Sequence, residues 1–321
     1  MVKNIADRLL SRVDEKKNPC IVGLDPRVEQ IPEHLKADKK DYTNPFEAVR
    51  DTIIEFNRLL IDALKDIVPA IKPQMAFFEQ YGSAGVKAFE ETVSYAKENG
   101  LIVIEDAKRN DIGSTVQAYA NGHLGEVAML DNSRKPSFDA DFLTVSPFLG
   151  SDSLAPFAEV CKEYGKGIFV LIKTSNPSSG EIQDQIVAHK ATVSEMLAAY
   201  VNKAGLDLVG ERGYSSLGAV VGATYPEQAV HLRKIMPKAI FLVPGYGAQG
   251  GTADEVTPCF NDDGYGALVN SSRGIIFAYQ KEPYRSKYGP EEFHLAARDA
   301  AIDMRDDVVK ALTKAKKLPK W

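Results

Sequence analysis

Eight short runs rich in apolar and β-branched residues, each followed by a longer stretch of helical periodicity, constrain this chain more than any other feature. Such runs suit strands buried on both faces, and strands that alternate with helices are joined by crossovers, which makes them parallel. The runs cover 20–24, 68–71, 101–105, 140–145, 167–172, 217–222, 239–243 and 266–270. Eight such units predict a closed (β/α)8 TIM barrel, with a doubly wound open sheet as the alternative.

Helices are expected over 45–67, 78–99, 187–204 and 225–236. Pro45 and Pro226 stand near the starts of two of them, where a missing N–H is harmless and φ is already helical. Residues 1–17 alternate charge with Ile5, Leu9, Leu10 and Val13, the pattern of an amphipathic helix and not of a signal peptide. Two segments exceed a minimal barrel. The polar stretch 28–44 reads as an insertion over one rim, and the tail after Tyr279 as a packing helix over 290–314 with a solvated basic end at Lys314, Lys316, Lys317 and Lys320. The expectation is one domain over 1–321 with a C-terminal extension over 280–321.

Charge narrows the partners. With 44 acidic and 39 basic residues, a net charge of −5, the chain has no general electrostatic grip on nucleic acid or an anionic membrane. No stretch is long and apolar enough for a membrane-spanning helix. Cys20, Cys161 and Cys259 are scattered and form no CxxC pair, which fits apolar thiols in a reducing cytoplasm. His34, His123, His189, His231 and His294 show no metal-ligand spacing and read as surface or packing residues, so no metal is expected.

The third run leads directly into Asp106-Ala-Lys108-Arg-Asn-Asp111. Residues two apart on a strand point the same way, so Asp106 and Lys108 both face the barrel mouth. Charges packed this densely after a buried strand cost several kcal/mol unless they are paired or used. Lys72 ends an earlier run and Asp25 ends the first, so charges converge on one rim, where barrel enzymes place their chemistry. Taken singly, Asp111 reads equally as a helix N-cap, and Lys72 or Asp25 as a solvated rim charge.

After the seventh run, the loop 244–251 carries four glycines, Gly245 among them, and permits close backbone approach to an anion. After the eighth, Asn270-Ser271-Ser272-Arg273-Gly274 offers hydroxyls, N–H groups and a guanidinium. These are the two loops where barrels commonly hold phosphate. The spacing matches neither a P-loop nor a dinucleotide fingerprint.

These residues resemble a known family. Asp106-Ala-Lys108-Arg-Asn-Asp111-Ile112-Gly-Ser-Thr115 is similar to the signature of orotidine 5'-phosphate decarboxylases, and the likeness continues through 23–27, 70–73, 171–177, 243–251 and 269–274. Arg109 and the two extra segments resemble the longer branch of that family. The resemblance implies decarboxylation of orotidine 5'-monophosphate to UMP and CO2 in pyrimidine synthesis, without a cofactor. It implies a Lys72-Asp106-Lys108-Asp111 charge network, with Lys108 protonating C6 and Asp111 reaching the neighbouring subunit's site in a homodimer. It further implies Asp25 on the ribose, Ile112 and Thr115 at the partner's ligand, Ser175 on the pyrimidine, and Gln249, Gly245 and Arg273 at the phosphate. Two other readings compete: a related Mg2+-dependent sugar-phosphate synthase or decarboxylase with the same Asp-x-Lys-x-x-Asp core, and a non-catalytic phosphate-ligand sensor.

Overall fold

The computed structural model describes residues 2–187, 190–247 and 250–321. Eight parallel strands close into a barrel in sequence order: β1 (Cys20–Leu24), β2 (Ala70–Pro73), β3 (Ile102–Arg109), β4 (Phe142–Val145), β5 (Gly167–Lys173), β6 (Ser215–Val221), β7 (Ala239–Val243) and β8 (Ala267–Ser271), with β8 pairing back onto β1. The closed-barrel expectation holds, and the open sheet is excluded by that last pairing. β2 begins later than the run at 68–71 because Pro69 has no N–H for the ladder. β3 runs past Glu105 to Arg109, and its register against β4 slips between those two residues.

Strand parity divides the core into two layers. Ile21, Ala70, Ile102, Ile104, Phe142, Phe169, Ile240, Leu242 and Leu268 point into the barrel, while Val22, Ile71, Val103, Leu143, Val170, Phe241 and Val269 point out beneath the helices. Phe142 and Phe169 stack at 4.8 Å inside, and truncating either to Ala would cost about 3–5 kcal/mol. The lower end is plugged by the N-terminal helix Ile5–Lys16, whose Ile5, Leu9, Leu10 and Val13 join the inner layer. Asn4 caps that helix, accepting from the Ala6 N–H at 2.8 Å. With the bottom closed and apolar, the upper, C-terminal end of the strands is left for polar side chains.

The helices differ from expectation at their ends, for local reasons. Pro45–Leu64 starts at its proline behind the Asn44 cap. The helix expected over 78–99 breaks at Gly82, φ +59°, into the short helix Ala76–Glu79 and the helix Gly82–Glu98. Val193–Gly205 starts at a Thr192–Glu195 capping box; of the expected 187–204, Ala188 and His189 lie outside the described residues, as Met1 does for the first helix. A two-stranded hairpin, Glu126–Ala128 with Arg134–Pro136, was not expected.

Segment 28–44 forms three single turns of 3-10 helix over the upper rim, held by Tyr279, whose hydroxyl donates to the Gln30 carbonyl at 2.7 Å. The helix Phe293–Lys314 packs on Pro45–Leu64, with Phe56 stacked between Phe277 and Phe293 at 5.7 and 5.1 Å. The tail corrects the expectation of a solvated basic end. Lys314, Lys316 and Lys320 are exposed, but Lys317 donates to the Phe260 carbonyl at 2.7 Å, Pro319 is buried, and the Trp321 indole N–H donates to Asp14 at 3.2 Å. Backbone groups left over on the neighbouring turn capture the chain end. Among the described residues no helix is long and apolar enough to cross a membrane.

Candidate active site

The inward parity of Ile102 and Ile104 continues to Asp106, which emerges just above the apolar layer and is almost wholly buried. Asp106 accepts from Lys72 Nζ at 2.8 Å and from Lys108 Nζ at 2.6 Å, one ammonium on each carboxylate oxygen. Lys72 is likewise buried, on the inward face of β2 above Ala70. Lys108 is on the same strand as Asp106, but its side chain is 46% exposed and reaches the mouth.

The electrostatics follow from this packing. Burial opposes ionisation of Asp106, yet the two ammonium groups outweigh it and hold the carboxyl far below its usual range. Burial likewise opposes the Lys72 ammonium, and the charges of Asp106 and Asp25 override it and raise its pKa. The site therefore keeps a cation–anion–cation row in a low-dielectric cleft without reorganisation. Two further groups brace the carboxylate: Gln74 donates to it at 2.9 Å and the Thr144 hydroxyl at 2.9 Å. Sequence reasoning missed both, because neither type stands out at a strand end.

A cavity of about 170 Å³ joins Lys72 and Asp106 of this row to the expected phosphate end. Asp25, Lys72, Gln74 and Asp106 line one side, and Gly245, Tyr246, Asn270, Ser272 and Arg273 the other. Asp25 Oδ1 and Asn270 Oδ1 are buried with no hydrogen-bond partner among the described residues, two acceptors aimed where a ligand's hydroxyl or N–H would satisfy them. Gly23 makes room beside them: a Cβ there would lie 1.9 Å from Ser272 Oγ. Tyr246, on the loop after β7, donates its hydroxyl to Asp307 of the C-terminal helix at 2.6 Å.

The remaining expected residues lie elsewhere. Ser175 follows β5, half-buried, and its backbone is packed so closely on Gly222 that a Cβ there would approach it to 2.9 Å. Asp111 accepts from the Ile112 N–H at 2.8 Å, one residue short of capping the helix Gly113–His123. Ile112 is 52% exposed and Thr115 is exposed. None of these three residues lines the cavity. Gln249 lies outside the described residues.

A profile of the Orotidine 5'-phosphate decarboxylase / HUMPS family matches residues 20–285. The chain belongs to this family. An orotidine 5'-phosphate decarboxylase from Rhodopirellula baltica is 47% identical over 89% of this chain and 93% of its own length. One from Caldicellulosiruptor bescii is 37% identical over 97% and 99%. The solved structure of Leishmania donovani OMP decarboxylase superposes with a TM-score of 0.69 at 28% identity, covering 96% of this chain and 98% of that one. The family match begins at β1 and takes in all eight strands, and so includes every side chain of the Lys72–Asp106–Lys108 row and the loops after β7 and β8.

Proposed function

We propose that this chain decarboxylates orotidine 5'-monophosphate to UMP and CO2, with Lys108 as the acid that protonates C6 of the pyrimidine. The observation that carries the reading is the Lys72–Asp106–Lys108 row, whose Lys72 and Asp106 line a cavity that Gly245 and Arg273 also line.

Loss of CO2 leaves an electron pair on a ring carbon that cannot delocalise it. An ammonium fixed beside that carbon stabilises the developing charge and then gives up a proton to it, so the C–C bond breaks and a C–H bond forms in its place. Asp106 holds Lys108 in that position. Lys72 fixes Asp106 from the other side and, with Asp25, offers a donor and a free acceptor suited to ribose hydroxyls. Arg273 and the Gly245 backbone suit the phosphate. Binding energy from that remote group is then spent at the reacting carbon. Ser175 is assigned to the pyrimidine and Gln249 to the phosphate.

The working unit in this reading is a homodimer with shared sites and one domain per chain, in the cytoplasm. Ile112 and Thr115 are exposed, Asp111 is partly so, and Phe148 is 82% exposed, so a second copy would bury apolar surface while receiving Asp111 and Thr115 at its own cavity.

The test is the loss of orotidine 5'-monophosphate absorbance with purified protein in excess EDTA, beside Lys108→Ala. Loss in wild type alone supports the metal-free reaction through Lys108. Loss abolished by EDTA would point to the Mg2+-dependent relatives, and tight UMP binding without turnover to a sensor.

A further inference from the structure

β3 presents two pairs of charges to two environments. Asp106 and Lys108 turn into the barrel, while Glu105 and Arg109 turn out beneath the helix Gly113–His123. Glu105 is fully buried, and neither of its oxygens has a well-aligned hydrogen bond among the described residues. His123 Nδ1 lies 2.8 Å from Glu105 Oε1. The His123 ring is buried, stacked on Phe138 at 4.9 Å with Tyr119 beside it at 6.1 Å. On its far side Nε2 faces Arg109 Nε at 3.4 Å, and Arg109 lies over Tyr119 and pairs with Glu79.

Arg109 has only protons to offer, so His123 Nε2 accepts from it, which leaves Nδ1 as the nitrogen beside Glu105, close to the carboxylate but not aligned on it. Packing a strand against a helix needs no such arrangement, since an aliphatic side chain at 105 would be far less costly than a carboxylate. The two residues that the ring nitrogens of His123 approach, Glu105 and Arg109, are those between which the β3–β4 register slips. Inside that slip Lys108 has φ +52°, a region that residues with a side chain rarely adopt.

We propose that Glu105, His123 and Arg109 form a positioning clamp on the outside of β3 that holds the bulge and thereby keeps Lys108 Nζ against Asp106. His123 is a positioning residue: it grips the strand on either side of the strained residue and ties it to the helix that begins at Gly113. Released, the bulge relaxes towards ordinary extended backbone and the ammonium swings away from Asp106. The inference rests on the reading of Lys108 as the acid.

Three variants test it. His123→Phe keeps the ring stacked on Phe138 and removes both nitrogens. Arg109→Met keeps a chain over Tyr119 at a more exposed position and cuts the outer link. His123→Gln retains a donor for Glu105 and an acceptor for Arg109. Wild type and Lys108→Ala are assayed first; no turnover in wild type sinks the decarboxylase reading, and normal turnover in Lys108→Ala sinks Lys108 as the acid and the clamp's purpose with it. With that control in place, misplacing Lys108 should lower kcat roughly 10- to 100-fold in His123→Phe and Arg109→Met, with KM and the Kd for UMP within about threefold of wild type. His123→Gln should return kcat to within about fivefold of wild type. Unchanged kcat in folded Arg109→Met overturns the clamp, and decides alone if His123→Phe does not fold. A parallel loss of kcat and UMP affinity, or no rescue by Gln, also overturns it, since general loosening of the barrel would produce either.

Discussion

Lys108 Nζ sits 2.6 Å from Asp106 Oδ1 although the two residues share one strand and one face, a contact reached through a backbone reversal at Lys108 itself. Strand parity alone would send both side chains upward in parallel. The positive φ accompanies an ammonium turned onto the carboxylate, so Lys108 is held by its neighbour while its side chain remains open to the mouth.

Replacing Lys108 by Ala should lower kcat by at least roughly 10³-fold, since it removes both the stabilising charge and the proton donor. UMP affinity should stay within about tenfold of wild type. Steady-state kinetics and calorimetric UMP titration check both halves, and normal turnover would remove Lys108 from its role.

Arg273→Ala should act mainly on binding. A charge-assisted hydrogen bond to phosphate is worth about 1.5–3 kcal/mol, or roughly 10- to 150-fold in affinity. Affinity for UMP should fall by that factor while uridine, which has no phosphate, binds the variant as it binds wild type. Equal loss for both ligands would show that Arg273 does not read the phosphate.

The stability contributed by Asp106 should depend on pH with a defined sign. Its folded pKa lies below the unfolded value, so its contribution is complete above that value, about 3.9, and is lost as pH falls below it. For Lys72 the folded pKa is raised, so its contribution is complete below about 10.4 and is lost above that, as pH climbs through the folded value. The Tm difference between wild type and Asp106→Asn should therefore stay level from about pH 5 to 9 and shrink below about pH 4. A difference that changes across neutral pH would refute this assignment.

Shared sites can be tested by mixing. Lys108→Ala and Asp111→Ala are each expected to be inactive alone. In a randomly reassembled mixture half the dimers are mixed, and each of those has one intact site of two, giving about a quarter of wild-type activity. No recovery after verified subunit exchange would place Asp111 in its own chain's site or outside any.

Phenol-to-phenyl replacement at Tyr246 removes its bond to Asp307 and nothing else. The loss of one hydrogen bond, about 0.5–1.5 kcal/mol, should raise KM for the nucleotide roughly 2- to 12-fold and leave Asp106 and Lys108 untouched. An unchanged KM would detach this contact from the phosphate-side loop.

The barrel and its charged row were legible because both depend on short-range periodicity. Parity set Asp106 and Lys108 on one side of their strand, and Lys72 was read from its place at a strand end, with no knowledge of what lay across the barrel. Gln74 and Thr144 were not legible, since an amide after β2 and a hydroxyl on β4 gain meaning only when closure brings them to the same carboxylate. His123 was read as a packing residue for lack of ligand spacing, and its contact with Glu105 spans a turn and a helix that sequence period does not relate. The docked tail was misread because lysine-rich ends are usually solvated, whereas here Lys317 finds the open carbonyl of Phe260.

The bond between Tyr246 and Asp307 joins positions 61 residues apart, one on a ligand loop and one on the helix that closes the fold. That makes the C-terminal segment something inherited together with the loop it braces. A lineage that loses the carboxylate at 307 has lost the reason for a phenol at 246, and the two positions should change as a pair.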